Sequence, residues 1–165
     1  MPFYRFDFEV SMPRQNAVAR IQELVGPSRS FLEEVKRSFI RGREASPPFI
    51  GEVEADTFRA RRDIRYRNSF LPLIRGRVTS TPTGSHIRVT MHLHRVVVVF
   101  MLVWFGVFRV ALEAIFCTPS VQGDWADFVP VGLLLLGVGI VCGGFFPEAI
   151  EARRILEKAF AGAKK

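Results

Sequence analysis

Apolar and polar residues alternate from Phe3 to Val10, with Tyr4, Phe6, Phe8 and Val10 on one side and Arg5, Asp7 and Glu9 on the other. Strand side chains point to opposite faces in turn, so this run predicts a half-buried strand. The period then lengthens. Ser11 and Pro13 suit a helix start, and Ala17, Val18, Ile21, Leu24 and Val25 share one helical face before Gly26-Pro27 ends it. Ser30 and Glu33 have capping-box spacing, and Phe31, Leu32, Val35 and Phe39 carry a second helix onward. Turn-forming residues at 41–48 separate this pair from the next part.

Between Phe49 and His94 the period returns to two. Residues 49–54 predict a short strand. Residues 57–67 predict a longer one, with Phe58, Ala60, Arg62, Ile64 and Tyr66 opposing Arg59, Arg61, Asp63, Arg65 and Arg67. Residues 71–80 predict a third, and Ile87, Val89, Met91 and Leu93 mark a fourth, joined to it by a turn at Thr83-Gly84. The expected fold class is α+β: a small antiparallel, meandering sheet with one helical layer over one face.

Beyond Arg95 alternation stops. Residues 96–116 carry only Arg109 and Glu113 as charges, and residues 128–146 carry none. Apolar runs of about 20 residues match the ~30 Å hydrocarbon core that a helix crosses at 1.5 Å per residue. They predict a two-helix transmembrane hairpin. After it, Ala149, Ala152, Leu156, Ala159 and Phe160 form a stripe on a C-terminal cytoplasmic helix, expected to pack on its own domain in preference to lying in the interface. The expected organisation is therefore 1–95 cytoplasmic domain, 96–146 hairpin and 147–165 helix. The sheet domain is tethered with almost no linker.

Charge sharpens this picture. Residues 1–95 hold 17 Lys/Arg against 10 Asp/Glu, whereas residues 96–165 hold 6 of each, so the net +7 resides in the front part. The loop at 117–127 contains Asp124 and Asp127 and no cation, while Arg77, Arg88 and Arg95 precede the apolar pair and Arg153, Arg154, Lys158, Lys164 and Lys165 follow it. The positive-inside bias puts both termini in the cytoplasm. Trp125 suits the outer interface, and Trp104, mid-span, suits packing between helices. The N-terminal residues lack the cationic start and apolar core of a secretory signal. A basic domain beside a bilayer attracts anionic headgroups, at about 1 kcal/mol per cation near the surface. Nucleic acid is disfavoured, because no named nucleic-acid motif is present.

Candidate chemistry is sparse. Arg109 and Glu113 stack at i, i+4 inside a span, where ionisable groups are costly and tend to be paired or functional. They read either as a self-neutralised structural pair or as a polar strip lining an assembly. Gly139 and Gly143 form a small-xxx-small face for helix packing within the hairpin, or alternatively for homo-oligomerisation. Arg59, Arg61, Arg65 and Arg67 make an arginine row, either solvated or holding headgroups or an acidic partner. His86, His92 and His94 share a face but lack the further ligands of a metal site. Cys117 and Cys142 fall near opposite ends of the hairpin, too far apart for a disulfide. Glu33-Glu34 sits on a surface helix, and no nucleophile has a base beside it. No catalytic residue, cofactor or metal is expected.

The string Pro48-Phe-Ile-Gly51, Tyr66-Arg-Asn-Ser-Phe-Leu-Pro72, Gly76 and Met91-His-Leu-His94 resembles a group of small, uncharacterised bacterial two-span membrane proteins. The resemblance covers roughly residues 45–110. It implies a bacterial inner-membrane protein with a cytoplasmic sheet, and it supplies no activity. Physically, Asn68 and Pro72 bracket a bend where two strands meet, which reads as structural.

The leading expectation is a non-enzymatic, membrane-held interaction or scaffold module touching anionic lipid, a protein partner, or both. The alternative is a small oligomeric channel, transporter subunit or membrane effector with Arg109 and Glu113 in the assembly interior. An enzyme acting on a membrane substrate ranks third.

Overall fold

The computed structural model describes residues 3–27, 47–64, 66–116 and 128–162. The helix expected at 31–39, with Glu33 and Glu34, lies outside the described residues. So do Arg65, Cys117, Asp124, Trp125, Asp127, Lys164 and Lys165.

The described residues form a six-stranded mixed sheet and three helices. In chain order these are β1 (Phe3–Val10), α1 (Arg14–Leu24), β2 (Val25–Pro27), β3 (Phe49–Glu54), β4 (Thr57–Arg62), β5 (Leu73–Thr81), β6 (Gly84–His92), α2 (Arg95–Phe116) and α3 (Val129–Ala159). The sheet order is β1-β6-β5-β4-β3-β2. Strands β3 to β6 make the expected antiparallel meander, and β1 joins β6 antiparallel, Phe3 opposite His92 and Val10 opposite Ser85. One edge departs from expectation: β2 pairs parallel to β3, Val25 opposite Phe49. Gly26-Pro27 thus ends the helix by entering the sheet.

Strand β4 stops at Arg62, five residues short of the predicted end. The alternation runs on past the strand, but Arg62 falls at the inward parity of Phe58 and Ala60, where a guanidinium needs a charged partner, and it finds one in Glu148 of α3. The chain leaves the sheet there and returns at Leu73. At the β5–β6 turn, Gly84 pairs with Thr81 and has φ +151°, and a Cβ there would lie 2.1 Å from the Val10 carbonyl oxygen.

The sheet is one-sided. Phe6, Phe8, Val10, Phe58, Ala60, Ile74, Val78, Ile87, Val89 and Met91 are buried on the inner face. Two elements cover them: Ala17 and Ile21 from α1, and Phe145, Ala149, Ala152 and Leu156 from α3 with Phe160 at its C-cap, all in one apolar cluster. The C-terminal stripe therefore packs on the sheet. It does so as part of α3, a single helix of 31 residues that also contains the second apolar run. The core consequently draws on residues from both sides of the boundaries expected at 95 and 147.

Helices α2 and α3 are each long and apolar enough to cross a membrane, with window hydropathies of 2.2 and 2.3. Only 6% and 11% of those windows are buried within the molecule. A core helix of a water-soluble protein would be largely covered. Here Val99, Leu102, Val103, Val107, Leu135 and Ile140 are exposed.

Trp104 of α2 lies against Gly137 of α3, its indole nitrogen 3.1 Å from where a Cβ would stand. Gly139 and Gly143, the expected helix-packing pair, meet nothing within 4 Å. Within the molecule the close approaches are at Gly137, against the neighbouring helix, and at Gly144, against Phe70, with Gly139 about 200° around the axis from Gly137.

Candidate functional site

The junction between the sheet and α3 is built from the segment 62–72. Glu148 is only 5% exposed, directly after Pro147 and two residues beyond the apolar run of α3. Arg62 donates from Nη1 to Glu148 Oε2 at 2.5 Å, and the Tyr66 hydroxyl donates to Oε1 of the same carboxylate. Asn68 then clasps the helix: its Nδ2 donates to the Gly144 carbonyl at 2.8 Å, while its Oδ1 accepts the Phe70 N–H at 2.9 Å. Phe70 seats on Gly144, where a Cβ would come within 2.9 Å of the Phe70 Cβ. Pro147 has no N–H to give the Gly143 carbonyl, so this turn of α3 is held partly from outside by Asn68 on the neighbouring carbonyl.

Arg62, Tyr66, Asn68 and Glu148 were missed as a group by sequence reasoning. The available signal was Arg62 at a core parity position and Glu148 at the head of an apolar stripe: two charges in places that only pairing makes tolerable. The expected Asn68 to Pro72 bend covers only the second half of the crossing from β4 to β5, which begins at Asp63.

The same segment encloses a cleft of about 210 Å³. Ile50 and Leu71 line one part of it, and Arg61, Arg62 and Arg67 bring cationic residues to its wall. Asp63 contributes a carboxylate. The Nε of Arg62 is buried without a hydrogen-bond partner. Leaving such a donor unpaired costs about 1–3 kcal/mol.

Of the predicted arginine row, Arg59 and Arg61 share the exposed face of β4, Arg67 stands in the loop, and Arg65 lies outside the described residues. The row extends across the sheet where sequence reasoning followed it along one strand. Arg59 is directly opposite Arg75 on β5, and Arg77 is directly opposite Arg88 on β6. All four are exposed. Like charges in direct cross-strand register are destabilising. Glu52 flanks Arg59, and Asp7 flanks Arg88.

A third polar group lies on β1 and α3. Arg153 donates to the Tyr4 hydroxyl at 2.7 Å and to Glu157 at 3.2 Å, and stacks 5.4 Å from the Phe6 ring centroid. The Tyr4 hydrogen bond, then Glu157, raises the Arg153 guanidinium above its ordinary value. This tie stays charged throughout the physiological range.

Arg109 and Glu113 do pair, Nη2 to Oε1 at 2.5 Å. Their side chains are 75% and 56% exposed, on the side of α2 turned away from α3. The histidines are dispersed in partnership: His86 with Asp7 at 3.1 Å, His92 with the Leu73 carbonyl at 3.0 Å, and His94 accepting the Val96 N–H. Among the described residues, no three His, Cys, Asp or Glu side chains come together as a metal site would require. Comparisons of the chain with protein-family models, curated proteins and solved structures find no match.

Proposed function

We propose that this chain is a two-span protein of the bacterial inner membrane with both termini in the cytoplasm. Its sheet domain is a non-enzymatic interaction or scaffold module that contacts anionic lipid headgroups and an acidic protein partner. The observation that carries this reading is the sheet face that no described element covers, with Arg59 opposite Arg75 and Arg77 opposite Arg88. An anion shared between such pairs removes the repulsion their register imposes.

The register also supports a division of labour. Leu73 and His92 end the ladder beside the start of α2 at Arg95. Arg61 belongs to that end. Arg75 lies two residues further along β5 and Arg77 four, about 7 and 13 Å at 3.3 Å per residue. Arg61 and Arg67 thus suit headgroup depth, whereas Arg77 and Arg88 suit a protein approaching from the cytoplasm. Orientation rests on the cations flanking the apolar pair, Arg88, Arg95, Arg153 and Arg154 among them.

The test is amide exchange of the full chain in nanodiscs. Anionic phosphatidylglycerol discs should protect β4 relative to phosphatidylcholine discs, and changing Arg59, Arg61, Arg65 and Arg67 to Glu should abolish the difference. Equal exchange in both discs would sink the lipid contact. A second reading, an oligomeric channel, transporter subunit or membrane effector, is favoured by the outward-facing Arg109–Glu113 pair. It requires a stable oligomer in mild detergent that Arg109→Leu with Glu113→Leu disrupts, together with conductance in liposomes.

A further inference from the structure

We infer that the cleft between the end of β4 and the 63–72 loop binds a phosphate group, supplied by a phospholipid headgroup. The inference rests on the membrane placement proposed above, and adds a ligand class and the residues that contact it.

Three features meet in this cleft. Arg61, Arg62 and Arg67 line it, and guanidinium forks match phosphate oxygens with paired, charge-assisted hydrogen bonds. Arg62 is immobilised in advance, because Glu148 holds its Nη1 at 2.5 Å and leaves its Nε hidden without an acceptor. A guanidinium fixed beforehand loses little freedom when it meets a phosphate oxygen. Asp63 offsets one of the cations, so the cleft is moderately rather than strongly positive.

A soluble phosphate ester and a lipid headgroup present the same oxygens. The headgroup is favoured by depth. The loop that forms the cleft is fastened to Gly144 and Glu148, which straddle the end of the apolar residues 128–146 of α3. A phosphate at that level sits where headgroups lie when those residues occupy hydrocarbon. Ile50 and Leu71 then meet the glycerol carbons that follow it.

The full chain in neutral detergent micelles is titrated with dioctanoyl phosphatidic acid, with dioctanoylglycerol, which has the same tails and no phosphate, and with inorganic phosphate. Thermal midpoint reads the protein, and phosphorus NMR line width reads the phosphorylated ligands. Phosphatidic acid should raise the midpoint and broaden, while the other two act weakly. Arg67→Gln, at an exposed loop position outside the Glu148 cluster, should weaken phosphatidic acid about tenfold, the loss expected for one charge-assisted contact. Arg14→Gln, exposed at the start of α1, should leave it unchanged. Equal affinity in Arg67→Gln, or an equal response to dioctanoylglycerol, overturns the site. Inorganic phosphate as effective as phosphatidic acid overturns the headgroup assignment. Phosphatidic acid binding that survives while nanodisc protection of β4 fails would sink only the sheet-face reading. The converse would sink only the cleft.

Discussion

Three residues show how closely backbone and side chains are matched to this sheet. Ala55 opens the β3–β4 turn at φ 44°, a conformation costing a non-glycine residue roughly 1 kcal/mol or more. Ala55→Gly should therefore raise stability by about 0.5–1 kcal/mol, read as a shift in the denaturation midpoint of the detergent-solubilised protein. Gly76 is opposite Phe58, whose buried ring would lie 2.0 Å from an added Cβ. Gly76→Ala should displace that ring and cost about 1–3 kcal/mol, whereas Gly139→Ala, with open space around it, should cost far less. Arg153 adds a charge-coupled tie between α3 and β1. Its guanidinium is raised when folded, so its stabilisation is complete below the ordinary arginine value and is lost as pH climbs from there through the raised one. Stability between pH 5 and 9 should show no titration from this group.

Among elements, the junction of 62–72 with α3 decides how the sheet and the long helix are joined. Glu148 and Arg62 are both largely withdrawn from water, at 6% and 20% side-chain exposure. Breaking such a pair from one side costs about 3–5 kcal/mol, because a buried charge is left alone, while replacing both by apolar residues is often nearly neutral. Arg62→Met and Glu148→Met should each destabilise strongly, and the double variant should recover most of the loss. Additive single effects would show that the pair is not coupled. Gly144→Leu should unseat Phe70 and release the loop from the helix, seen as faster amide exchange at 66–72.

Legibility in the sequence also differs by element. Strand β1 is set by a strict two-residue alternation that nothing else competes for, so its ends at Phe3 and Val10 follow from the pattern alone. The α1 face of Ala17 and Ile21 is equally direct. Strand β4 was overextended because parity sees alternation but not where the chain must turn away. Arg62 obeys the strand's period and then leaves it for a carboxylate 86 positions later. Small-residue spacing proved similarly ambiguous: Gly139 and Gly143 satisfy the motif, yet the close approaches occur at Gly137 and Gly144, where Trp104 and Phe70 happen to arrive. Pairings between distant segments, including Arg59 with Arg75, need register, which a single strand's pattern does not hold.

At the scale of the whole molecule, the sheet's inner face is finished by Phe145, Ala149, Ala152, Leu156 and Phe160. A fragment of residues 1–95 lacks all five. It should behave as a partly packed species with exposed apolar surface and weak near-UV circular dichroism, and adding the peptide 145–162 should restore native signal. A fragment with cooperative unfolding by itself would mean that α3 is a passive cover. Phe8 touching Phe160, ring centroids 5.6 Å apart, is the most distant of these contacts along the chain.

That closure sets an order of events during synthesis. Phe6 and Phe8 leave the ribosome long before Phe145 to Phe160, so the helical residues that shelter them are made only as the second greasy segment is completed. Until then the nascent sheet waits with one side bare, a target for chaperones. On the membrane placement proposed above, completion of the sheet core is tied to delivery of the two greasy segments into lipid, and a chain kept from its bilayer should leave that face bare and be degraded faster.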